Sequence, residues 1–124
     1  MIKILELNFG NVKVYDKFLV SELKEGVLFD VESNRKLLQI GSEEFKGKPY
    51  GYISNRINSY AVNPMVYRES AEHENLKAIA VVAPTEIGRK SATVERNFYK
   101  DKSCFAIFAT FEEARDWINL TIKD

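Results

Sequence analysis

Residues 76–83 read Leu-Lys-Ala-Ile-Ala-Val-Val-Ala, a nearly continuous apolar run with one charge in it. A strand that tolerates so little polarity has to be covered on both faces, and strands of that kind belong to the interior of parallel sheets. The rest of the chain must therefore supply layers above and below this strand. That requirement selects an α/β architecture, in which helices alternate with strands and cross over them with right-handed connections.

The remaining segments meet the requirement in order. Ile2 to Phe9 reads as a strand, Gly10-Asn11 as a turn, and Val12–Tyr15 and Phe18–Leu23 as further strands joined by Asp16-Lys17. The first quarter is thus an antiparallel meander. Gly26 breaks the pattern, and Asp30 caps a predicted helix to about Phe45 with Val31, Leu38 and Phe45 on one face and Leu37 beside them. Gly41 falls near that face, where a missing side chain permits close approach to the sheet, and Gly47 ends the helix. Tyr50 to Ser54 is the next strand. Asn63 as N-cap and Pro64 as first helical residue then open a helix to about Glu74. After the apolar strand, Thr85 caps a third helix whose inner face is read as Ile87, Ser91, Val94 and Phe98. Cys104–Ala109 is a last buried strand, and Thr110-Phe-Glu-Glu113 is a capping box opening a helix with Ala114, Trp117, Ile118 and Thr121 inward. The expected order is β-β-β-α-β-α-β-α-β-α: one domain over residues 1–124, a mixed sheet with helices packed on it.

Charge narrows the functional classes. Lysine and arginine number 18, as do aspartate and glutamate, so the formal net charge is zero. Capture of nucleic acid or of an anionic membrane normally needs a basic surplus, and neither is an expected partner. The single Cys104 excludes an internal disulfide and a multi-cysteine metal site, and fits a reducing cytosol. Charges inside the first apolar run argue against a signal peptide or a span, so a cytoplasmic location is expected.

The stretch from Lys48 to Pro64, KPYGYISNRINSYAVNP, leaves a strand through a polar run on its way to a helix. The carboxyl ends of strands, switch points above all, are where α/β proteins tend to bind ligands. Ser54, Asn55, Arg56, Asn58, Ser59 and Tyr60 are the candidate binding residues. Arg56 is read as the anion partner because its fork suits bidentate contacts. Arg89 and Lys90, in the first turn of the third helix, oppose the helix dipole and so gain nothing locally, which makes them candidates for the same ligand. The same loop also suits a solvated segment whose Asn and Ser side chains satisfy the backbone. His73 has neither Cys nor a second His for metal, and Cys104 in a buried strand would be inert. No catalytic residue, metal site or cofactor is assigned.

The GKPYGYISNR strand with its polar exit, the LKAIAVVAP strand and the closing FATFEEARDWI segment resemble the SpoIIAA-like proteins, relatives of STAS and CRAL-TRIO domains, and in particular small single-domain bacterial members of unestablished role. The resemblance implies a mixed sheet with helices on its faces, no enzymatic activity, and action through protein partners. In some STAS members a serine at the start of the helix after the central strand is phosphorylated. Ser59, or less directly Ser54, occupies the corresponding place, although Asn58-Ser59-Tyr60-Ala61 lacks the family's Asp-Ser-Ser-Gly.

The expected function is a non-catalytic binding or regulatory module that recognises a protein partner or a small anion through residues 54–60 and 85–90. Arg56→Ala is then expected to spare the fold. The alternative is a small-molecule or lipid carrier, or a cofactor-free enzyme, with a pocket between sheet and helices. A homodimer through a sheet edge is the third reading.

Overall fold

The computed structural model describes residues 2–122. Strands β1 (Lys3–Leu7), β2 (Gly10–Val14) and β3 (Phe18–Leu23) form the antiparallel meander. A two-residue strand β4 (Leu28–Phe29) precedes helix α1 (Val31–Phe45), strand β5 (Tyr50–Asn55), a second two-residue strand β6 (Ala61–Val62) and helix α2 (Val66–Glu72). Strand β7 (Leu76–Val82), helix α3 (Glu86–Arg96), strand β8 (Phe105–Phe108) and helix α4 (Phe111–Thr121) complete the chain.

The main sheet has the order β1-β2-β3-β5-β7-β8, and β3, β5, β7 and β8 run parallel. Sequence order advances across these four strands without reversing, so right-handed crossovers place their connecting helices on one face. Leu37 and Ile40 of α1, Val66 and Tyr67 of α2 and Ala92 of α3 share one core with Leu19, Tyr50, Ile79 and Phe105. On the other face Ala114 and Ile118 of α4 pack on Phe18, Ile53, Ala78 and Ala80. The apolar run at residues 76–83 is thus split by alternation: Ile79 and Val81 face three helices, while the small Ala78 and Ala80 sit under α4.

Local chemistry sets the helix starts. The Asp30 carboxylate accepts the Ser33 N–H at 2.9 Å, Thr85 accepts the Gly88 N–H at 3.0 Å, and the capping box of Thr110 and Glu113 is complete. Gly41 lies on the buried face of α1 against the Tyr50 ring, where any side chain would collide.

Several expectations are corrected. The inward face of α1 is centred on Asn34, Leu37 and Gly41, with Val31 and Leu38 only half-buried. At its end Lys46 itself turns left-handed before Gly47. Asn63 and Pro64 do not begin α2. Pairing of β6 with β4 keeps the backbone extended to Asn63, whose N–H donates to Phe29 at 3.0 Å, and the Asn63 side chain closes a turn by accepting the Met65 N–H. Cys104 lies in a 3-10 turn before β8, half-buried, with its thiol donating to Asp101 Oδ2 at 3.5 Å. In α4, Thr121 faces outward and Ile122 takes the buried place.

The largest correction concerns α3. Ile87, Val94 and Phe98, read as its inner face, are 79%, 61% and 42% exposed, and Ser91 is exposed with them. The buried positions are Ala92 and Glu95. The helix is turned so that a carboxylate, rather than its apolar stripe, points to the sheet.

Candidate functional site

The carboxylate at Glu95 is explained by Arg56, which leaves the end of β5 and turns beneath α3. Arg56 Nη1 donates to Glu95 Oε2 at 2.7 Å and Nη2 to Glu95 Oε1 at 2.5 Å, with both side chains close to nine-tenths buried. Tyr67 of α2 donates its phenol hydrogen to Glu95 Oε1 at 2.5 Å, and Arg56 Nε reaches Ser54 Oγ at 3.3 Å. The Ser54 hydroxyl bonds the Tyr60 hydroxyl at 2.9 Å, and the Tyr60 ring centroid lies 5.6 Å from the guanidinium carbon. One strand apart, Ser21 and Tyr52 share a 2.5 Å hydroxyl contact.

Burial dominates the acid–base behaviour of this cluster. It pushes the phenols of Tyr52, Tyr60 and Tyr67 above their ordinary range, and the neighbouring Glu95 charge pushes Tyr67 further. All three therefore remain neutral phenols. Burial alone would lower the Arg56 guanidinium, but the hydrogen bonds to Glu95 and the electrostatic influence of Tyr60, Tyr67 and Glu95 together outweigh it and leave the pKa raised. The guanidinium is therefore permanently charged.

Arg56 has five N–H donors. Ser54, the two Glu95 oxygens and Tyr67, the last at 3.4 Å, occupy four of them. One Nη1 hydrogen remains. The fork that suited a ligand carboxylate already holds Glu95, so an incoming anion meets a single donor.

In front of this cluster lies a cleft of about 320 Å³ between residues 56–60 and the entry to α3, residues 83–85, 87, 88 and 91. Arg56, Asn58, Ser59 and Tyr60 meet at its wall. The other candidates are elsewhere. Ser54 is behind Tyr60, and Asn55 turns to the opposite face to donate to Glu22 Oε2 at 2.9 Å. Arg89 donates to the Ala83 carbonyl at 2.9 Å, and Lys90 lies in solvent 3.5 Å from Glu86. Because strand order does not reverse, the cleft sits at strand ends without a switch point.

The loop wall is held from behind. Asn58 Nδ2 donates to the Leu23 carbonyl at 3.0 Å, the Ser59 N–H to Glu25 Oε2 at 2.8 Å, and the Gly26 N–H to the Ser59 carbonyl at 2.8 Å. Ser59 is exposed but is not at a helix start; β6 and a turn separate it from α2. Its backbone N–H is engaged by Glu25 and so is not free to hold an anion. Two apolar residues complete the cleft: Ile57 on the loop and Ile87 on α3 both line it, and Ile57 is 61% exposed.

Sequence reasoning missed Glu95 and Tyr67. The one local sign was the small pair Gly88 and Ala92, which continues to Glu95 at helical spacing and marks the face of α3 that approaches the sheet.

The space between sheet, α1 and α2 beside Tyr52 measures about 10 Å³. That is room for a water molecule, far below the hundreds of cubic ångströms a small-molecule pocket needs. Among the described residues no helix is long and apolar enough to cross a membrane, and no cluster of His, Cys, Asp or Glu is placed to hold a metal ion.

No family model matches the sequence, and no curated protein matches it. Among solved structures, the fold is similar to that of an uncharacterized protein from the DUF3478 family with a SpoIIAA-like fold, from Shewanella loihica PV-4. The likeness has a TM-score of 0.56 at 14% sequence identity and covers 86% of this chain and 90% of that one. The chain therefore has a SpoIIAA-like fold.

Proposed function

We propose that the chain is a non-catalytic binding or regulatory module that recognises a protein partner through the cleft between residues 56–60 and the start of α3. The observation carrying this reading is the pairing of Ile57 and Ile87 across a cleft whose one strong cation, Arg56, is already neutralised by Glu95. Exposed apolar side chains on both rims, backed by a rigid polar floor, suit an apolar anchor of a partner better than a free anion. Asn58, Ser59, Thr85 and Ser91 supply hydrogen-bonding groups around it.

Phosphorylation of Ser59 would act on the same wall. The added charge would stand beside the Glu25 carboxylate that fixes the loop, and repulsion would loosen it. Intact mass of the natively expressed protein tests for the modification.

The test of the main reading is capture from an extract of the native host by immobilised wild-type protein, Ile57→Asp, Ile87→Asp and Leu120→Asp. Leu120 is 74% exposed on α4, across the sheet from the cleft. A specific partner is expected to be lost with both cleft variants and retained with L120D, while circular dichroism is unchanged in all three. Retention by both cleft variants, or equal loss with L120D, overturns the proposal.

A homodimer is favoured by a separate observation: β1 pairs with β2 alone among the described strands, and Ile2 and Ile4 are exposed along it. Light scattering after size exclusion decides it.

A further inference from the structure

The attachments of α3 differ in kind from those of the other helices. Helix α1 buries Leu37, Ile40 and Phe45, and α4 buries Ala114 and Ile118 with Ile122 just beyond. Along its own length α3 buries one apolar side chain, Ala92. What ties it down is a set of side-chain hydrogen bonds. Glu95 holds Arg56 and Tyr67. Arg96 donates to the carbonyls of Phe105 at 2.8 Å and Lys102 at 2.7 Å, and Arg89 to that of Ala83. A helix with little buried apolar surface belongs to the low-stability end of a fold, where segments open without global unfolding.

We propose that α3 is a latched clasp: it opens as a unit from an otherwise intact sheet, and the Arg56–Glu95–Tyr67 cluster is its latch. The geometry gives the clasp a consequence. Ile87, Gly88 and Ser91 form one wall of the cleft, so the cleft exists while α3 is latched and is dismantled when α3 opens. Arg56 belongs to both latch and cleft, which makes the latch the point at which the state of α3 and the shape of the cleft are coupled. Arg89 bonds the Ala83 carbonyl and Arg96 that of Lys102 within the connections that flank α3, and Arg96 also reaches the Phe105 carbonyl at the start of β8, nine residues on. Glu95 alone bonds residues on β5's exit and α2, so the side-chain hydrogen bonds from α3 to those two distant elements pass through one carboxylate.

Hydrogen–deuterium exchange on the free protein, read at peptide level, tests this. In the wild type, amides of 86–96 are expected to exchange faster than those of α1 and α4. Glu95→Gln weakens charge-assisted bonds and is expected to accelerate α3 a further ten- to hundredfold, on the order of one or two such bonds, with α1 and α4 unchanged. The double variant Arg56→Met with Glu95→Met replaces the ion pair by apolar bulk and is expected to restore protection of α3 relative to E95Q. Protection of α3 equal to that of α4 in the wild type overturns the proposal. So does E95Q accelerating every helix alike, or the double variant leaving α3 as open as E95Q does.

Discussion

Arg56 and Glu95, 39 residues apart, meet in a two-pronged contact of 2.7 and 2.5 Å under α3. Each is the reason the other can be buried. Arg56→Ala, attractive from sequence alone as a probe that spares the fold, would leave the Glu95 carboxylate enclosed with a single phenol for company. Removal of one partner from a buried pair costs about 3–5 kcal/mol. Urea unfolding is expected to show a loss of that size for R56A. A loss under about 1 kcal/mol would mean the pair is solvated as surface pairs are.

The orientation of α3 gives an independent check. Val94 is 61% exposed, although the apolar periodicity of 87, 91, 94 and 98 reads as a core face. If the stripe faced the sheet, Val94→Lys would bury a charge and cost several kcal/mol. With the stripe in solvent the change should stay within about 0.5 kcal/mol, aided by the better helix propensity of lysine. Thermal or chemical denaturation of V94K separates the two arrangements.

That contrast explains which parts of the structure were legible. Asp30, Thr85 and the Thr110–Glu113 box announce helix starts through contacts three residues long, and each is found in place. The run at 76–83 announces a doubly covered strand because burial on both faces acts on every residue in it. The phase of α3 depends instead on a partner charge elsewhere in the chain, and no window around Glu95 contains it. Strands β4 and β6 are two residues each, too short for any periodicity, yet they delay α2 to Val66. At the site, residues 54–60 and 85–90 were expected to face one ligand; residues 56–60 line one cleft with Thr85, Ile87 and Gly88, whereas Ser54, Asn55, Arg89 and Lys90 lie outside it. What the loop's composition could not reveal is that the Arg56 fork is spent internally.

His73 provides a pH signature. It is half-buried beside the Tyr50 ring, its Nε2 is 3.2 Å from Ser42 Oγ, and burial holds its pKa below the ordinary 6.5. On acidification the unfolded chain takes up the proton first. Stability is therefore full above the unfolded pKa, falls as pH drops through 6.5, and levels off below the folded pKa. His73→Gln is expected to remove this step from the urea midpoint measured between about pH 8 and pH 5, the range in which histidine titrates. Other groups contribute the same slope to both proteins and cancel in the difference. An identical pH profile for H73Q would show that His73 is equally solvated in both states.

Gly41 tests how closely α1 lies on the sheet. Alanine is better than glycine inside a helix by about 1 kcal/mol, so Gly41→Ala would stabilise an open site. Here the added methyl would occupy the space of the Tyr50 hydroxyl and ring edge. A terminal hydroxyl can often swing aside. This one cannot do so cheaply, because the Tyr50 ring is stacked on Phe45 at 4.7 Å with 3° between planes, is edge-on to His73, and is almost fully buried. Displacing it breaks that stack or lifts α1. Overpacking of this kind costs about 1–3 kcal/mol, which exceeds the propensity gain. The expected result for G41A is a net loss of about 1–2 kcal/mol in unfolding free energy, and Tyr50→Leu in the same background should recover part of it by vacating the contact. Stabilisation by G41A would show that α1 stands further from β5 than the Tyr50 packing implies.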